Sequence, residues 1–290
     1  MQFTFATRGL TIAASACLLH SHTHANSISA LRFDGGDIAS IPDSAVFHQI
    51  EGSDRLTIEA WINPSGYPQN WFPIVDKYRV ETDFGWSFQL FGGVGSSPAE
   101  IQFVGGIGPT VRAAWIAPLN TWSHVAFSYD RSVGLAAFYV NGSLLSSVPY
   151  SADIQTTGTD PLYVGYGPSG GDEFAQGGID ELRLWNRALT GAEIALNYNR
   201  PLAGTESGLV GNWKMDEGFG VIFRDATVNA NHGALASGAA RPTWLGAGAP
   251  VIPEPSTALF ACGLTLAGLA SRKRSRFRHG PDSAVSRIWD

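Results

Sequence analysis

The sequence predicts an all-β fold, an antiparallel β-sandwich. Three observations carry that prediction. Gly and Pro are frequent, at 34 and 16 in 290 residues, and periodic helical patterns are nearly absent. Short apolar runs recur with turn residues between them, which is the pattern of sandwich strands. One run ends in Asn141-Gly142, the strongest short-range hairpin signal, because both positions tolerate positive φ.

Residues 30–33 open the set, and Asp34-Gly35-Gly36 turns the chain. In residues 55–62, Leu56, Ile58, Ala60 and Ile62 alternate with Thr57, Glu59 and Trp61, the period of a strand. Residues 72–77, 85–90 and 100–104 read as middle strands. Residues 122–129 follow, with His124, Ala126 and Ser128 alternating against Val125, Phe127 and Tyr129. Residues 136–140 lead into the hairpin signal, and 162–165 and 179–185 complete the strands. In the last of these, Asp180, Glu181 and Arg183 sit among Ile179, Leu182 and Leu184, so the alternation is imperfect. Thr190 then stands three residues before Glu193, the spacing of a capping box. Ala192, Ala195 and Leu196 give the short helix that follows one apolar face, and residues 197–201 stop it.

These elements resemble a known family. Ile179 to Leu189 reads IDELRLWNRAL, which is similar to the closing strand of the LamG-like jelly-roll family, the laminin-G and concanavalin A-like sandwich. The opening Ala30-Leu31-Arg32-Phe33-Asp34-Gly35 resembles its A-L-x-F-D-G. Thr57 to Ile62 resembles its T-I-E-A-W-I, and Trp122 to Asp130 its W-x-H-V-A-x-x-Y-D. Residues 209–235 resemble a segment that usually precedes such a domain. Asp225, Asn229, Asn231, His232 and Gly233 match, Thr227 stands in for a serine, and Val228 and Ala230 replace glycines. Found after the domain, this segment is expected to add strands to it. The resemblance spans about residues 29–235. It implies an antiparallel jelly-roll β-sandwich, concanavalin A-like, over residues 26–235. Residues 204–208 and 236–251 read as linkers.

Both ends of the chain read as targeting segments. In residues 1–25, Arg8 supplies a positive start, residues 9–19 an apolar stretch too short to span a bilayer, and Ala25 the small residue of a cleavage site, which together make a signal peptide. Residues 252–279 hold Pro253-Glu254-Pro255, then a short hydrophobic helix over the apolar run 258–270, then basic Arg272, Lys273, Arg274, Arg276 and Arg278. Thirteen residues make roughly 20 Å of helix, against a bilayer core of about 30 Å. The segment therefore suits a transient anchor better than a permanent one. It resembles the PEP-CTERM sorting signal of exported bacterial proteins. That implies an exosortase-type sorting protease as partner, passing contact with the inner membrane, and a final place at the cell surface or outside the cell. Residues 280–290 extend past the point where that signal usually stops.

Removing the ends changes the composition. The only cysteines, Cys17 and Cys262, lie in them, so the domain itself uses no disulfide. The ends also take 7 basic and 3 acidic residues from the chain's 19 and 25, leaving 12 against 22, a net charge of −10. Such a surface argues against nucleic acid as a partner. It suits cations and neutral sugars.

Candidate site residues are few. Sandwich glycoside hydrolases of this kind carry a Glu-x-Asp-x-x-Glu strand whose two carboxylates flank the scissile bond. The nearest stretch here is Glu81-Thr82-Asp83-Phe84-Gly85-Trp86, with Trp86 in place of the second glutamate, so no catalytic residue is assigned. His124 reads as a packing or hydrogen-bonding position. Calcium wants six to eight oxygens. Asp34 and Asp180 are the expected metal ligands, where related sandwiches place a structural calcium between first and last strands; an Asx-turn at Asp34 and the capping of loop amides by Asp180 are the simpler alternatives. Asp225, Asn229 and Asn231 form a second oxygen-rich group. Aromatic faces stack on sugar rings, and of the eight tryptophans from Trp61 to Trp244 the three near loops, Trp71, Trp86 and Trp115, are the expected ligand residues. The expectation is an exported, non-catalytic module that binds glycan or an extracellular matrix polymer. The alternatives are a structural or adhesive surface protein with protein partners, and a degenerate glycoside hydrolase.

Overall fold

The computed structural model describes residues 29–251 except 54, 68–69, 79–84, 93–99, 106–108, 155–157 and 169–172. The expected signal peptide 1–25, sorting segment 252–279 and extension 280–290, and Glu81 to Phe84, lie outside the described residues. The elements run β1 (Ala30–Asp34), β2 (Ala39–Ile41), α1 (Ala45–Ser53), β3 (Arg55–Gly66), β4 (Trp71–Asp76), β5 (Trp86–Phe91), β6 (Glu100–Gly105), β7 (Val111–Ala114), β8 (Ser123–Asp130), β9 (Leu135–Val140) and β10 (Ser143–Pro149). They continue β11 (Leu162–Val164), β12 (Tyr166–Gly167), β13 (Glu173–Phe174), β14 (Gln176–Trp185), α2 (Gly191–Asn197), β15 (Leu209–Trp213), β16 (Ile222–Phe223), β17 (Gly233–Leu235) and β18 (Thr243–Leu245).

Two antiparallel sheets form the jelly-roll sandwich. Sheet I has the order β10-β9-β8-β3-β14-β1-β18, with β15 also paired to β14. Sheet II has the order β16-β17-β2-β11-β4-β5-β6-β7. β12 and β13 form a separate two-stranded sheet. The core between the sheets takes every second residue of the predicted strands: Leu56, Ile58, Ala60 and Ile62 from β3, Val125, Phe127 and Tyr129 from β8, and Phe88, Leu90, Ile101 and Phe103 from sheet II. Phe103 and Phe127 stack across the two sheets at 4.1 Å and 11°. Gly165, at φ +69, faces Phe33; a Cβ there would stand 2.3 Å from the Phe33 ring, so only glycine fits.

The hairpin between β9 and β10 carries Asn141 at φ 48 and Gly142 at φ 76, as that dipeptide demands. The capping box also forms. The Thr190 hydroxyl accepts from the Glu193 amide at 3.3 Å, and Glu193 Oε2 accepts from the Thr190 amide at 2.8 Å. α1 does not figure in the sequence reading; it buries Phe47 and Ile50.

The imperfect alternation of β14 has two causes. A β-bulge at Glu181, whose φ is +48, shifts the register to β3 between Asp180 and Arg183. The outward face of sheet I is also buried, because α2 and the chain after it pack Trp185, Leu189, Ile194, Leu202 and Leu209 against Ala126 and Tyr139. Arg183, fully buried in that layer, donates to the Asn197 carbonyl at 2.9 Å, the Arg200 carbonyl at 2.7 Å and Glu181 Oε2 at 3.0 Å. It thus satisfies carbonyls at and beyond the end of α2.

Residues 209–235 add strands to both sheets. β15 pairs with Leu182 to Trp185 of β14, beyond the point where β1 stops, and β17 pairs with β2. Asp225 holds the segment together by accepting from the Asn212, Thr227 and Asn231 amides and the Thr227 hydroxyl, at 2.9–3.1 Å. Residues 236–251, read as a linker, are part of the sandwich instead. β18 extends sheet I beside β1, and Ala249 and Val251 are buried against Trp61. Three residues of β-pairing and two buried side chains among Gly and Pro leave too weak a pattern to mark in the sequence.

Candidate functional site

Sheet I is covered on its outward side, so the outward side of sheet II is the place to look for a site. Cross-strand register sets its residues in rows. Trp71, Phe91, Glu100 and Ala114 stand opposite one another on β4 to β7; Pro73, Gln89, Gln102 and Arg112 form the next row; Asp76, Ser87 and Val104 form a third. Tyr163 and then Ser40 continue the third row across β11 and β2.

The first row is aromatic and charged. The Trp71 and Phe91 rings lie 4.3 Å apart at 41°. The Arg112 guanidinium sits 5.5 Å from the Phe91 ring, and Arg112 reaches Glu100 at 3.4 Å. The second row is a floor of amides. Gln89 and Gln102 are only 4% and 1% exposed, and the Oε1 of each accepts no hydrogen bond among the described residues. Buried polar atoms are nearly always paired, so two such acceptors side by side call for donors from elsewhere. Tyr163, Tyr166 and Phe174 make a second aromatic group, with centroids 5.2 and 5.1 Å apart in turn.

A carboxylate pair lies beside that second group. Asp76 Oδ2 and Glu173 Oε2 are each 3.3 Å from where a Cβ on Gly167 would stand, so they are at most about 6.6 Å apart, two legs of 3.3 Å. Burial, and then the neighbouring Asp76 charge, push the Glu173 carboxyl up to about 8. The Asp76 Oδ1 accepts from the Tyr78 amide at 2.8 Å.

The expected tryptophans separate. Trp71 stands on the outward face, half-buried. Trp86 does not: it shares the inward pleat with Phe88 and Leu90, is fully buried in the core, and cannot touch a ligand. Trp115 packs against the edge of the core. Its neighbour Ala114 lies three strands from Trp71, about 14 Å at 4.8 Å per strand.

Asp34 and Asp180 do not come together as a metal site. Asp34 stands opposite Gln176 on β14. Asp180 is four residues further along that strand, about 13 Å away. Asp180 is fully buried, its Oδ1 accepting from the Glu181 amide at 2.9 Å and its Oδ2 from the Ala249 amide at 2.7 Å. It caps loop amides, the simpler of its two readings. The Asp225 group is likewise saturated by its four donors. Among the described residues no group of three His, Cys, Asp or Glu side chains is placed to hold a metal ion.

His124 faces away from sheet II. Its Nε2 is 3.5 Å from Glu59 Oε2, and Glu59 Oε1 accepts from Trp185 Nε1 at 2.8 Å, all fully buried behind sheet I. Burial holds the His124 imidazole below its ordinary value despite Glu59. Burial opposes ionisation of Glu59 too, but the His124 hydrogen bond and the Arg183 charge outweigh it and keep the carboxyl low. A sealed pair like this supports packing and does no solution chemistry.

Sequence reasoning missed Phe91, Gln89, Gln102, Asp76 and Glu173. The alternation of Trp86-Ser87-Phe88-Gln89-Leu90-Phe91 held the signal. It puts Ser87, Gln89 and Phe91 on the face opposite Trp86.

Comparison with known proteins now has a geometry to meet. The family model for the concanavalin A-like lectin/glucanases superfamily matches residues 33–195, more than half of the chain. The PEP-CTERM protein-sorting motif matches residues 251–275. A Bacteroides ovatus protein, described as carbohydrate-binding, is similar in structure with a TM-score of 0.62 at 22% identity, over 78% of this chain and 62% of that one. A heptameric pentraxin of Limulus polyphemus gives 0.46 at 15% identity, over 74% and 97%. Among curated sequences, the human adhesion G-protein coupled receptor D1 is 34% identical over 92 residues, 31% of this chain. The chain spans about a tenth of the length of that relative.

Proposed function

Because the chain belongs to the concanavalin A-like lectin/glucanases superfamily, we propose that it is an exported, non-catalytic carbohydrate-binding module whose ligand lies across β4 to β7. One observation carries the reading: the half-buried Trp71–Phe91 ring pair stands on the outward side of sheet II, with Arg112 over the Phe91 ring and paired with Glu100. Aromatic rings receive the C–H face of a sugar; the Gln89 and Gln102 oxygens beneath are shut off from solvent and form the floor under the rings rather than meeting hydroxyls. Arg112 and Glu100 at the rim supply further polar contacts.

The PEP-CTERM motif marks the chain for export and surface sorting. In our reading the apolar run 258–270 pauses in the inner membrane, a sorting protease of the exosortase type cuts near Pro253-Glu254-Pro255, and the domain reaches the surface or matrix. Among the described residues no helix is long and apolar enough to cross a membrane.

A glycan array probed with residues 26–251 tests the binding. We expect a defined set of glycans whose binding falls at least tenfold in Trp71→Ala, a loss of about 1.4 kcal/mol or more. Binding that Trp71→Ala and Arg112→Ala leave intact would remove the face from consideration. The degenerate hydrolase retains one observation in its favour, the Asp76–Glu173 pair. Its Glu-x-Asp-x-x-Glu motif fails at Trp86, which is sealed in the core. We expect no release of reducing ends from β-glucans; release that disappears in Glu173→Gln or Glu81→Gln would make the protein an enzyme.

A further inference from the structure

We infer that residues 246–251 are a clasp through which the folded domain controls access to its own sorting motif. This rests on the reading that the tail is cut. After β18 at the edge of sheet I, the chain turns back across the outward side of that sheet. It passes β1 and β14 to reach Trp61 on β3. Three strand spacings of about 4.8 Å make roughly 14 Å, which six residues span without being fully stretched. Gly246 and Ala247 are exposed on the way, Gly248 is half-buried, and the chain is buried at Ala249.

Its end is fixed by hydrogen bonds as well as by packing. The Ala249 amide donates to Asp180 Oδ2 at 2.7 Å, a charge-assisted bond made in a fully buried place. The Val251 amide donates to the Ala249 carbonyl at 2.9 Å, closing a tight turn over Pro250. Ala249 and Val251 are 0% and 4% exposed, packed on Trp61 with Trp122 and Tyr198 around them. Trp61 is itself held by its Nε1, which donates to the Tyr198 carbonyl at 2.9 Å.

The sorting motif begins at residue 251, so its first residue is also a buried residue of the domain. Pro253 follows two residues later, and two residues reach about 7 Å at most. A protease that cuts beside Pro253 to Pro255 must take several residues on the amino-terminal side in extended form, and those include 250 and 251. The folded domain buries Val251 and ties its amide to the Ala249 carbonyl, with Pro250 exposed between them. Cutting therefore waits on local opening of the clasp, a minor state of the native protein.

The test follows the full-length precursor in a host that holds the sorting protease, by pulse-chase and intact mass. One variant inserts eight Gly-Ser residues between Val251 and Ile252, which keeps the clasp closed and frees the motif from it. A second, Asp180→Ala, removes the acceptor that holds Ala249. Both are expected to mature at least about fivefold faster than wild type, as removal of a local opening step requires. A spacer variant that matures at the wild-type rate overturns the clasp. Amide exchange of Ala249 in the folded protein gives a readout that needs no protease. Slow exchange supports the clasp, and exchange at the rate of an unstructured peptide overturns it. If no precursor is cut, the sorting reading fails, and the Ala249 exchange rate alone decides whether the clasp exists.

Discussion

Glu173→Gln should make the protein more stable, and by an amount that grows with pH. Glu173 is 9% exposed and its carboxyl is raised from 4.5 to about 8, first by burial and then by Asp76. A carboxyl raised in the folded state binds its proton more tightly there than in the unfolded chain. Stability is then complete below about pH 4.5, falls as pH climbs through the interval to 8, and is level above it. At about 1.4 kcal/mol per pH unit the whole interval sets a ceiling near 5 kcal/mol. Water at the rim and relaxation of the pair reduce the expected loss to about 2–3 kcal/mol, still a large share of the 5–15 kcal/mol of an ordinary domain. Glutamine keeps the shape and has no proton to lose. The assay is urea unfolding of wild type and Glu173→Gln at half-unit steps from pH 4.5 to 9. The difference between the two curves is the quantity to read, because the depressed His124 acts in the opposite sense below its unfolded value of 6.5 and cancels in it. Asp76→Asn should leave most of the slope, since burial outranks the Asp76 charge. A wild type and variant that keep a constant difference across the range would refute the reasoning.

Three further outcomes follow from the same geometry. Asp180→Ala should cost about 2–4 kcal/mol and lower the melting temperature equally in calcium and in chelator; a loss seen only with calcium would restore Asp180 as a metal ligand. Asp225→Ala, which strips four donors of their acceptor, should cost about 3–5 kcal/mol by urea unfolding, and a cost below about 1 kcal/mol would mean that β15 and β17 hold without it. Trp86→Ala should destabilise by about 3–5 kcal/mol while its glycan profile stays that of the wild type, the reverse of Trp71→Ala; equal loss of binding in both would place Trp86 at the ligand.

The strands were legible where one face alone is buried. Residues 55–62 and 122–129 show their parity directly, and Asn141-Gly142 marks its own turn. β14 was harder to read, because burial on both faces and the bulge at Glu181 mix charged and apolar residues without a period. The site was less legible for a related reason. Tryptophan looks like a ligand residue wherever it falls, and only parity with Phe88 and Leu90 shows that Trp86 points inward. Gln89 and Gln102 are ordinary polar positions in the sequence. Register sets them side by side between Pro73 and Arg112, under the ring pair's row, and register is a property of paired strands that no single segment carries. Asp76 and Glu173 stand 97 residues apart and meet through Gly167, a contact that spacing cannot announce. Asp34 and Asp180 failed in the opposite way. Their strands do pair, but four residues of offset keep them apart.

The clasp and the amide floor occupy opposite sides of the sandwich, and that gives the molecule a front and a back. Whatever roots the chain pulls on the back, over Trp61. The front, with Trp71 and the two glutamines, then points away from the root. Molecules planted this way on one surface would all look outward, none shading its own reading face. A weak grip on a single sugar would become a strong one on a repeating polymer, because each bound unit raises the local concentration of the next, by the 10²- to 10⁴-fold that linked sites typically gain.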